Sequence, residues 1–138
     1  MFANNSYGRV VDILHRTMDV SMLRRSVIAD NLANSDTPNF KRSNVNFEAQ
    51  LKRAFDSQAK PALEAKMTDK RHIPFYQPVD YRSVGPRRVL DYLSQSKNNG
   101  NNVDVEEEMM LSLKNQLNYQ LLTQAVSNQF NQINMVLR

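Results

Sequence analysis

The sequence predicts a mainly α-helical protein whose long N- and C-terminal helices pair in an elongated, coiled-coil-like domain, with an irregular, partly extended middle region between them. Residues 9–33 and 104–138 contain neither glycine nor proline, and both stretches carry apolar residues at helical spacing. Four of the five prolines lie between residues 61 and 86 instead. Because proline interrupts helices and central strands, long regular elements are expected only near the two ends of the chain.

The predicted domain organisation is discontinuous. Residues 1–41 and 103–138 together form the helical domain, and residues 42–102 form the irregular or flexible middle region. The chain has 138 residues, only 8% of them aromatic, no tryptophan and a mean hydropathy of −0.60. This composition supplies little material for a large hydrophobic core, so we expect other protein to complete the packing of the helices.

The first helix carries apolar residues on two nearly opposite faces. At 100° per residue, its broad face comprises Val10, Val11, Leu14, Met18, Met22, Ile28, Ala29 and Leu32. Its narrow face comprises Ile13, Val20, Leu23 and Val27. Because one partner covers only one face, we expect a helix wedged between subunits; a central helix in a small bundle is the alternative. Arg25 lies within the broad face, where an unpaired charge is costly, so we expect carboxylate or carbonyl groups to reach it.

A stop and a tight turn are predicted directly after this helix. Asn34 can adopt the left-handed conformation that ends a helix without glycine. Thr37 precedes a proline and is therefore expected to be extended. Pro38 and Asn39 fit the two central positions of a β-turn, because asparagine tolerates a positive φ at the second of them. We expect Phe40 to pack this turn onto the helix.

This stretch resembles the signature of bacterial flagellar rod and hook proteins. It reads Ala29-Asp30-Asn31-Leu32-Ala33-Asn34-Ser35-Asp36-Thr37-Pro38-Asn39-Phe40-Lys41, where the family pattern has Ala-Asn-Asn-Ile-Ala-Asn, two variable residues and Thr-Pro-Gly-Tyr-Lys. The chain departs from the pattern at Asp30, Leu32, Asn39 and Phe40, but Asn39 keeps the positive-φ option and Phe40 keeps an aromatic ring. We refer to the following residues as the turn motif: Asn31, Leu32, Ala33, Asn34, Thr37, Pro38, Asn39, Phe40 and Lys41.

The middle region shows only short patterns. Phe47, Leu51 and Phe55 are spaced by four residues, which predicts a short helix. The prolines between residues 60 and 88, together with Tyr76, Val79 and Tyr81, suggest short extended pieces. Residues 94–102 are rich in Ser, Asn and Gly and are interpreted as a flexible linker. We expect this region to be ordered by neighbouring molecules rather than by itself.

The last helix is predicted to begin after Asp104. Asp104 suits the N-cap position, and Glu107 lies three residues further on, as in a capping box. Glu106, Glu107 and Glu108 place negative charge at the positive end of the helix dipole, and Arg138 supplies a cation at the other end. At 1.5 Å per residue, a helix of about 34 residues would be roughly 50 Å long.

Beyond Lys114 this helix is polar but uncharged. No charged side chain occurs between Lys114 and Arg138, whereas asparagine and glutamine recur along the whole stretch. When identical helices surround a common axis, equivalent positions of several copies come close together, and a charge there would face its own copies. Amides can donate to and accept from one another. The pattern therefore favours a helix packed among copies of the same chain.

Two apolar stripes lie on opposite sides of the last helix. The first comprises Met110, Leu113, Leu117 and Leu121, and it continues with the amides Gln124, Asn128 and Asn131. The second comprises Tyr119, Leu122, Val126, Phe130, Ile133 and Leu137. We expect a change of apolar partner near residues 119–122, from the chain's own helix to neighbouring subunits or the reverse; a simple two-helix hairpin is the alternative. The predicted assembly interface comprises Val11, Leu14, Met18, Arg25, Ile28, Met110, Leu113, Leu117, Leu121, Leu122, Val126, Phe130 and Ile133.

The C-terminal segment extends the resemblance to the proximal rod subgroup of the same family. The matching residues are Asn101-Asn102-Val103-Asp104, Glu108-Met109 and Asn115-Gln116-Leu117-Asn118-Tyr119-Gln120. The resemblance implies a structural subunit of the proximal rod of the flagellar basal body, a hollow axial shaft in the periplasm that transmits torque and passes exported subunits. It implies copies of itself, other rod subunits, and the basal adaptor and export-gate proteins as partners. Export by the flagellar type III apparatus, without a cleavable signal peptide, belongs to the same expectation.

The sequence indicates no catalytic, cofactor-binding or metal site. Gly8, Gly85 and Gly100 are the only glycines and form no phosphate-binding loop, and the chain has no cysteine. His15 and His72 are isolated from each other and from any candidate nucleophile. No apolar run approaches the ~20 residues that a membrane-spanning helix needs. We therefore expect neither an enzyme nor a protein that spans the membrane directly.

A basic α-helical nucleic-acid-binding protein is the alternative function. The formal net charge is +4, and residues 52–88 carry nine lysines and arginines against four acidic residues. However, no recognition-helix motif occurs, and aromatic residues do not alternate with basic ones. This alternative also leaves the uncharged last helix unexplained, so we expect no nucleic-acid partner.

Overall fold

The computed structural model describes residues 5–59, 66–73, 75 and 77–137. The elements are α1 (Ser6–Ala33), β1 (Ser43–Asn46), α2 (Glu48–Gln58), a 3-10 helix (Tyr81–Ser83), β2 (Arg87–Leu90) and α3 (Val105–Val136). The predicted fold class is confirmed, because long N- and C-terminal helices pack together and the residues between them are mostly irregular. The predictions that involve Pro61, Pro74, Tyr76 and Arg138 lie outside the described residues.

The chain divides into two compact units. The first unit comprises residues 1–45 and 88–138 and contains α1 and α3, whereas the second comprises residues 46–87 and contains α2 and the 3-10 helix. Residues 88–102 therefore group with the paired helices. The strands β1 and β2 form a two-stranded sheet. Among the described residues, no helix has an apolar stretch long enough to cross a lipid bilayer.

One side of α1 is buried against α3. Its buried residues are Val20, Ser21, Val27, Ile28 and Asn31. Val20 and Val27 come from the predicted narrow face and Ile28 from the edge of the broad face, so the covered side lies between the two. Met22, in the broad face, is 61% exposed, and Val11, Leu14 and Met18 are half-buried. The broad face is therefore only partly covered in the single chain.

The covered side of α3 runs along its whole length. Its buried and half-buried residues mostly recur every three or four positions, with a gap between Asn115 and Leu122: Val105, Glu108, Leu111, Asn115, Leu122, Ala125, Val126, Gln129 and Ile133. Residues of the second stripe, Leu122, Val126 and Ile133, pack within the chain, and the predicted contact of the first stripe with neighbouring subunits stays a prediction. The side stays the same, and only its chemistry changes, from polar at Glu108 and Asn115 to apolar from Leu122 onward. The first stripe, from Met110 to Leu121, is exposed.

Two hydrogen bonds fix the direction and register of the helix pair. Asn115 Nδ2 donates to the backbone carbonyl of Ser21 at 2.9 Å, and Asn31 Nδ2 donates to Glu108 Oε1 at 3.2 Å. Since the later residue of α1 contacts the earlier residue of α3, the helices are antiparallel. All four residues are buried, so a shift of the helices would leave polar groups without partners.

The segment after α1 differs from the prediction at Asn34 and agrees with the prediction at Asn39. Asn34 has φ −104° and ψ 15°, so the predicted left-handed conformation is wrong. Its amide side chain instead donates to the carbonyl of Asp30 at 2.8 Å. Asn39 does have a positive φ, of 60°, and the backbone N–H of Phe40 donates to the carbonyl of Thr37 at 3.4 Å. The predicted β-turn centred on Pro38 and Asn39 is thus confirmed.

The second unit has a small core of its own. Phe47, Ala54 and Tyr81 are buried, and the rings of Phe55 and Tyr81 lie 5.7 Å apart between centroids. The hydroxyl of Ser57 accepts a hydrogen bond from the backbone N–H of Val79 at 2.9 Å, which ties α2 to the segment before the 3-10 helix. The short helix predicted around Phe47–Phe55 is confirmed as Glu48–Gln58.

Asn39→Val is expected to destabilise the fold, whereas Asn39→Gly is expected to be tolerated. At φ 60° a β-branched side chain clashes with its own backbone, and the left-handed conformation costs about 1–2 kcal/mol for residues with a Cβ. Urea denaturation, followed by helical circular dichroism, measures the free energy of unfolding of both variants. Equal values for valine and glycine would show that the turn does not require a positive φ.

Candidate functional site

Buried polar side chains join the turn motif to the start of α3. We refer to Asn31, Arg42, Asn101, Asn102, Glu107 and Glu108 as the polar cluster. All except Glu107 are buried, and Asn31, Asn101, Asn102 and Glu108 are at most 2% exposed. Polar groups at this depth destabilise a fold unless they are hydrogen-bonded, so their partners decide what the cluster does.

Asn101 holds the turn that follows α1. Its Nδ2 group lies 2.9 Å from the carbonyl oxygens of Asn34, Ser35 and Thr37. Its Oδ1 atom accepts a hydrogen bond from the backbone N–H of Val103 at 2.7 Å. The last carbonyls of α1 itself accept from the backbone N–H groups of Asn34 and Ser35, so the helix end is closed by its own backbone. Asn101 therefore fixes the turn after α1 and shapes the approach to α3.

Two lysines strengthen the same junction from opposite directions. Lys97 Nζ donates to the carbonyl of Ser35 at 2.8 Å, and Lys41 Nζ donates to the carbonyl of Gly100 at 2.8 Å. Gly100 has φ 78°, and a Cβ atom there would lie 2.6 Å from Asn39 Oδ1. The turn motif and residues 97–102 therefore fit together closely, and both the positive φ and the near side chain favour glycine at this position.

Asn102 connects three segments of the first unit. Its Oδ1 atom accepts from the backbone N–H of Arg42 at 2.6 Å, and its Nδ2 group donates to the carbonyl of Asp91 at 2.7 Å and to Ser94 Oγ at 3.2 Å. The interpretation of residues 94–102 as a flexible linker does not fit this geometry. Asn101 and Asn102, at the end of that stretch, are among its most buried and most extensively hydrogen-bonded residues.

Asn31 connects α1 to both β1 and α3. Its side-chain amide donates to the carbonyl of Ser43 at 2.9 Å and accepts from the N–H of Ser43 at 3.0 Å. It thus pairs with the first residue of β1 as a neighbouring strand would. The same Nδ2 group also donates to Glu108 Oε1. The most deeply buried residue of the turn motif therefore determines where the chain can run after the turn.

Arg42 forms a bidentate ion pair with Glu107. Its two terminal nitrogens lie 2.5 and 3.1 Å from the two carboxylate oxygens, the geometry of a strong charge-assisted pair. The capping-box bond predicted between Glu107 and the backbone N–H of Asp104 is not formed among the described residues, and the Glu107 carboxylate binds Arg42 instead. The predicted N-cap is confirmed: Asp104 Oδ1 accepts from the backbone N–H groups of Glu106 at 2.9 Å and Glu107 at 3.4 Å.

Glu108 is a buried carboxyl group with a perturbed pKa. Burial raises its pKa above the ordinary 4.5, because the charged form loses its hydration; the hydrogen bond from Asn31 and the charge of Arg42 oppose this effect. Arg42 Nε lies 3.8 Å from Glu108 Oε1, which is too far for a hydrogen bond. Within the described part of the chain, Glu108 Oε2 is buried without a hydrogen-bond partner.

The other residues of the turn motif lie closer to the surface. Leu32, Asn34, Phe40 and Lys41 are half-buried, and Ala33, Thr37, Pro38 and Asn39 are exposed. The motif therefore contributes to the junction mainly through Asn31, Lys41 and the backbone carbonyls that Asn101 binds. Across the described residues, no group of histidine, aspartate and glutamate side chains is arranged to hold a metal ion.

The predicted assembly-interface residues differ in how far the single chain exposes them to solvent. Arg25, Met110, Leu113, Leu117, Leu121 and Phe130 are exposed, Val11, Leu14, Met18, Leu122, Val126 and Ile133 are half-buried, and Ile28 is buried. The structure brings Leu122, Val126 and Ile133 to the covered side of α3 and leaves the first stripe uncovered. No described residue gives Arg25 the carboxylate or carbonyl expected for it, so that expectation is not met within the chain. The role of these residues in assembly stays a prediction.

The sequence did not identify Arg42, Ser43 or Lys97 as parts of this site. Their partners lie 12 to 65 residues away along the chain, and no local pattern marks such pairs. One signal was available: the adjacent asparagines Asn101 and Asn102 stand only two and three residues before the N-cap Asp104, where a linker would be expected to be more varied. Two adjacent amides before a helix are suited to bridging backbone groups.

Asn101→Asp is expected to destabilise the first unit by about 2–3 kcal/mol, because it removes the donors of three carbonyl contacts and places an oxygen against them. Asn118→Asp is the matched control, since Asn118 is exposed on α3. Chemical denaturation gives both free energies of unfolding. A loss no larger than that of the control would mean that Asn101 does not hold α1 to α3.

Glu108→Gln is expected to stabilise the fold more at pH 7.5 than at pH 4.5. A carboxyl whose folded-state pKa is raised weakens the fold above that pKa, and this penalty disappears below the unfolded-state pKa. The difference in free energy of unfolding between the variant and the native chain should therefore grow as pH rises through this window. A difference that stays constant with pH would contradict the effect assigned to burial.

Comparisons with known proteins identify the family. The family model described as flagella basal body rod protein matches residues 23–41, which include the end of α1 and the turn motif. Three relatives are each named flagellar basal body rod protein FlgB. The one from Borreliella burgdorferi is 44% identical over 134 residues, which cover 97% of this chain and 99% of the relative. The one from Bacillus subtilis is 34% identical over 131 residues, or 95% of each chain.

The third relative, from Escherichia coli, is 31% identical over 108 residues, which cover 77% of this chain and 76% of the relative. The matches to the Borreliella and Bacillus proteins span nearly the full length of both chains, so they include both helices and the middle region. Nothing in these matches supports a nucleic-acid-binding function. The chain therefore belongs to the family of flagellar basal body rod proteins.

Proposed function

We propose that the chain is a structural subunit of the proximal rod of the flagellar basal body and that it has no catalytic activity. The observation that carries this proposal is the uncovered first stripe of α3. Met110, Leu113, Leu117 and Leu121 are each more than half exposed, on the side of the helix opposite Glu108 and Asn115. A continuous exposed apolar surface of this kind is typical of a protein that functions in an assembly.

The charge distribution favours assembly with copies of the same chain. From residue 115 to residue 137, α3 and the residue after it carry no charge, so equivalent helices can approach one another without like-charge repulsion. The exposed amides of this stretch can form hydrogen bonds with their counterparts on a neighbouring copy. Copies and other rod subunits are therefore the partners proposed for α3.

The polar cluster suits a subunit that must bear a load. A shaft that transmits torque requires that each subunit resist sliding of one helix along the other. The hydrogen bonds of Asn31, Asn101 and Asn115 hold α1 and α3 in one register, and sliding would break several of them together. We infer that the cluster supplies stiffness to the hollow shaft, while the outer surfaces supply its subunit contacts.

The proposal also includes the position of the subunit within the flagellum. A proximal rod subunit would contact the basal adaptor and export-gate proteins at one end and further rod subunits at the other. It would reach the periplasm through the flagellar type III apparatus and would line the path of later exported subunits. Membership in the rod protein family supports this placement.

Leu117→Asp is expected to abolish rod assembly while leaving the subunit folded. Leu117 is 52% exposed in the single chain, so the change costs little there, but a lone carboxylate buried between subunits costs several kilocalories per mole. Lys114→Asp, three positions earlier at an exposed site that is already charged, is the control. Swimming motility and recovery of the chain with purified basal bodies are measured in cells that lack the native gene.

Normal motility and basal-body recovery for Leu117→Asp would contradict an interface on this side of α3. Equal loss for both variants would point to a general intolerance of charge on the helix rather than to a buried stripe. Circular dichroism of the purified variants separates loss of assembly from loss of folding, because the helix content should match that of the native chain.

A further inference from the structure

We propose that the first stripe of α3 in one copy packs antiparallel on the broad face of α1 in another copy, with Glu106 of one opposite Arg25 of the other. This inference rests on the proposed rod-subunit function and specifies the surface, direction and register of one of its contacts. It assigns an occupant to the exposed first stripe of α3 and to the broad face of α1, which the single chain covers only partly.

In the described part of the chain, Arg25 and Glu106 lack the oppositely charged partners that charges near an apolar surface are expected to have. Arg25 is exposed within the apolar broad face of α1 and borders a groove of about 420 Å³ that is also lined by Met22, Asn115 and Tyr119. Glu106 is exposed in the first turn of α3. Among the described residues, neither side chain has a hydrogen-bond or ion-pair partner, although most other charged groups of the first unit do.

Each charge lies at the end of an apolar row, and the spacings of the two rows differ by at most one residue. On α3, Glu106 is followed by Met110, Leu113, Leu117 and Leu121, at distances of 4, 7, 11 and 15 residues. On α1, Arg25 is preceded by Met22, Met18, Leu14 and Val11, at distances of 3, 7, 11 and 14 residues. When Arg25 lies opposite Glu106 in an antiparallel pair, each apolar residue therefore meets another, as in knobs-into-holes packing.

The charges exclude the parallel arrangement. Spacing alone also permits a parallel pair in which Leu14 lies opposite Met110 and Met22 opposite Leu117. In that arrangement Arg25 would face Leu121 and Glu106 would face Val11, so two charges would be buried against apolar side chains. Unpaired buried charges are strongly unfavourable, whereas the antiparallel register pairs them with each other.

The change from leucine to amides after Leu121 supports the same direction. In the antiparallel register Leu121 lies opposite Val11, and Gln124 lies opposite Tyr7, at the first turn of α1. The apolar part of the stripe therefore ends where α1 begins. In the parallel register Gln124 would instead face Ala29, and the amides would lie against the apolar end of the broad face.

A charge exchange tests the pair Arg25–Glu106. Arg25→Glu and Glu106→Arg are each expected to reduce recovery with basal bodies at least tenfold, because like charges then face each other. The double variant, with the charges exchanged, is expected to recover to within about threefold of the native level. Single variants that assemble normally, or a double variant no better than the worse single one, would overturn the pairing.

Cysteine cross-linking tests the register without relying on charge, since the native chain has no cysteine. Chains carrying Leu14→Cys are co-expressed with chains carrying either Leu117→Cys or Met110→Cys, so that any disulfide joins two copies. The antiparallel register predicts a disulfide-linked dimer for Leu14→Cys with Leu117→Cys only. Cysteine pairs require Cα atoms within about 7 Å, and a seven-residue displacement moves them roughly 10 Å apart.

The outcomes separate this inference from the function on which it rests. A cross-link of Leu14→Cys with Met110→Cys alone, or none with either partner, would overturn the proposed register. If the native chain restores motility in cells that lack the gene, the rod-subunit function stands even then. If the native chain neither restores motility nor purifies with basal bodies, the proposed function itself fails.

Discussion

The contact between Asn101 and the turn after α1 is the interaction on which the first unit depends. Carbonyl oxygens of a turn that face protein rather than water need donors from elsewhere in the chain, because leaving them unpaired is costly. Asn101 supplies its amide to the carbonyls of Asn34, Ser35 and Thr37 from a position just before α3. The turn after α1 therefore determines where α3 begins, and the antiparallel pair follows from that junction.

The remaining polar cluster makes the helix register specific. Buried ion pairs and amides often contribute little net stability, because desolvation offsets much of their attraction. Their effect is to penalise alternatives: a displacement of one turn, about 5.4 Å, would separate Asn31 from Glu108 and Asn115 from Ser21. The apolar half of the pair, from Leu122 to Ile133, could tolerate such a displacement, since leucine, valine and isoleucine pack acceptably against one another in several registers. The polar half could not tolerate this displacement.

The predictions made from the sequence were correct where the structure depends on residues close together in the chain. The β-turn at Asn39, the N-cap at Asp104 and the helix Glu48–Gln58 each depend on residues within a few positions of one another. The misses at Glu107 and at Asn102 share another cause. At each, a partner at least 60 residues away occupies a side chain for which the local pattern suggested a different use. At Asn34 the side chain bonds locally to the carbonyl of Asp30 instead, and the backbone is not left-handed. Sequence spacing alone does not show which distant segments will meet, so the polar cluster could be described only from the structure.

The distribution of residues around the first half of α3 is the reverse of that in an ordinary surface helix. Its inner side carries Glu108 and Asn115, which are buried, whereas its outer side carries Met110 and Leu113, which are mostly exposed. A helix stabilised only by hydrophobic burial would turn the leucine side inward. The polar cluster prevents this. Rotating α3 so that its apolar side faced α1 would break the hydrogen bonds and ion pairs of Asn31, Arg42 and Asn101. Folding of the subunit and covering of the stripe are therefore separate equilibria, and substitutions in the cluster act on the first while substitutions in the stripe act on the second.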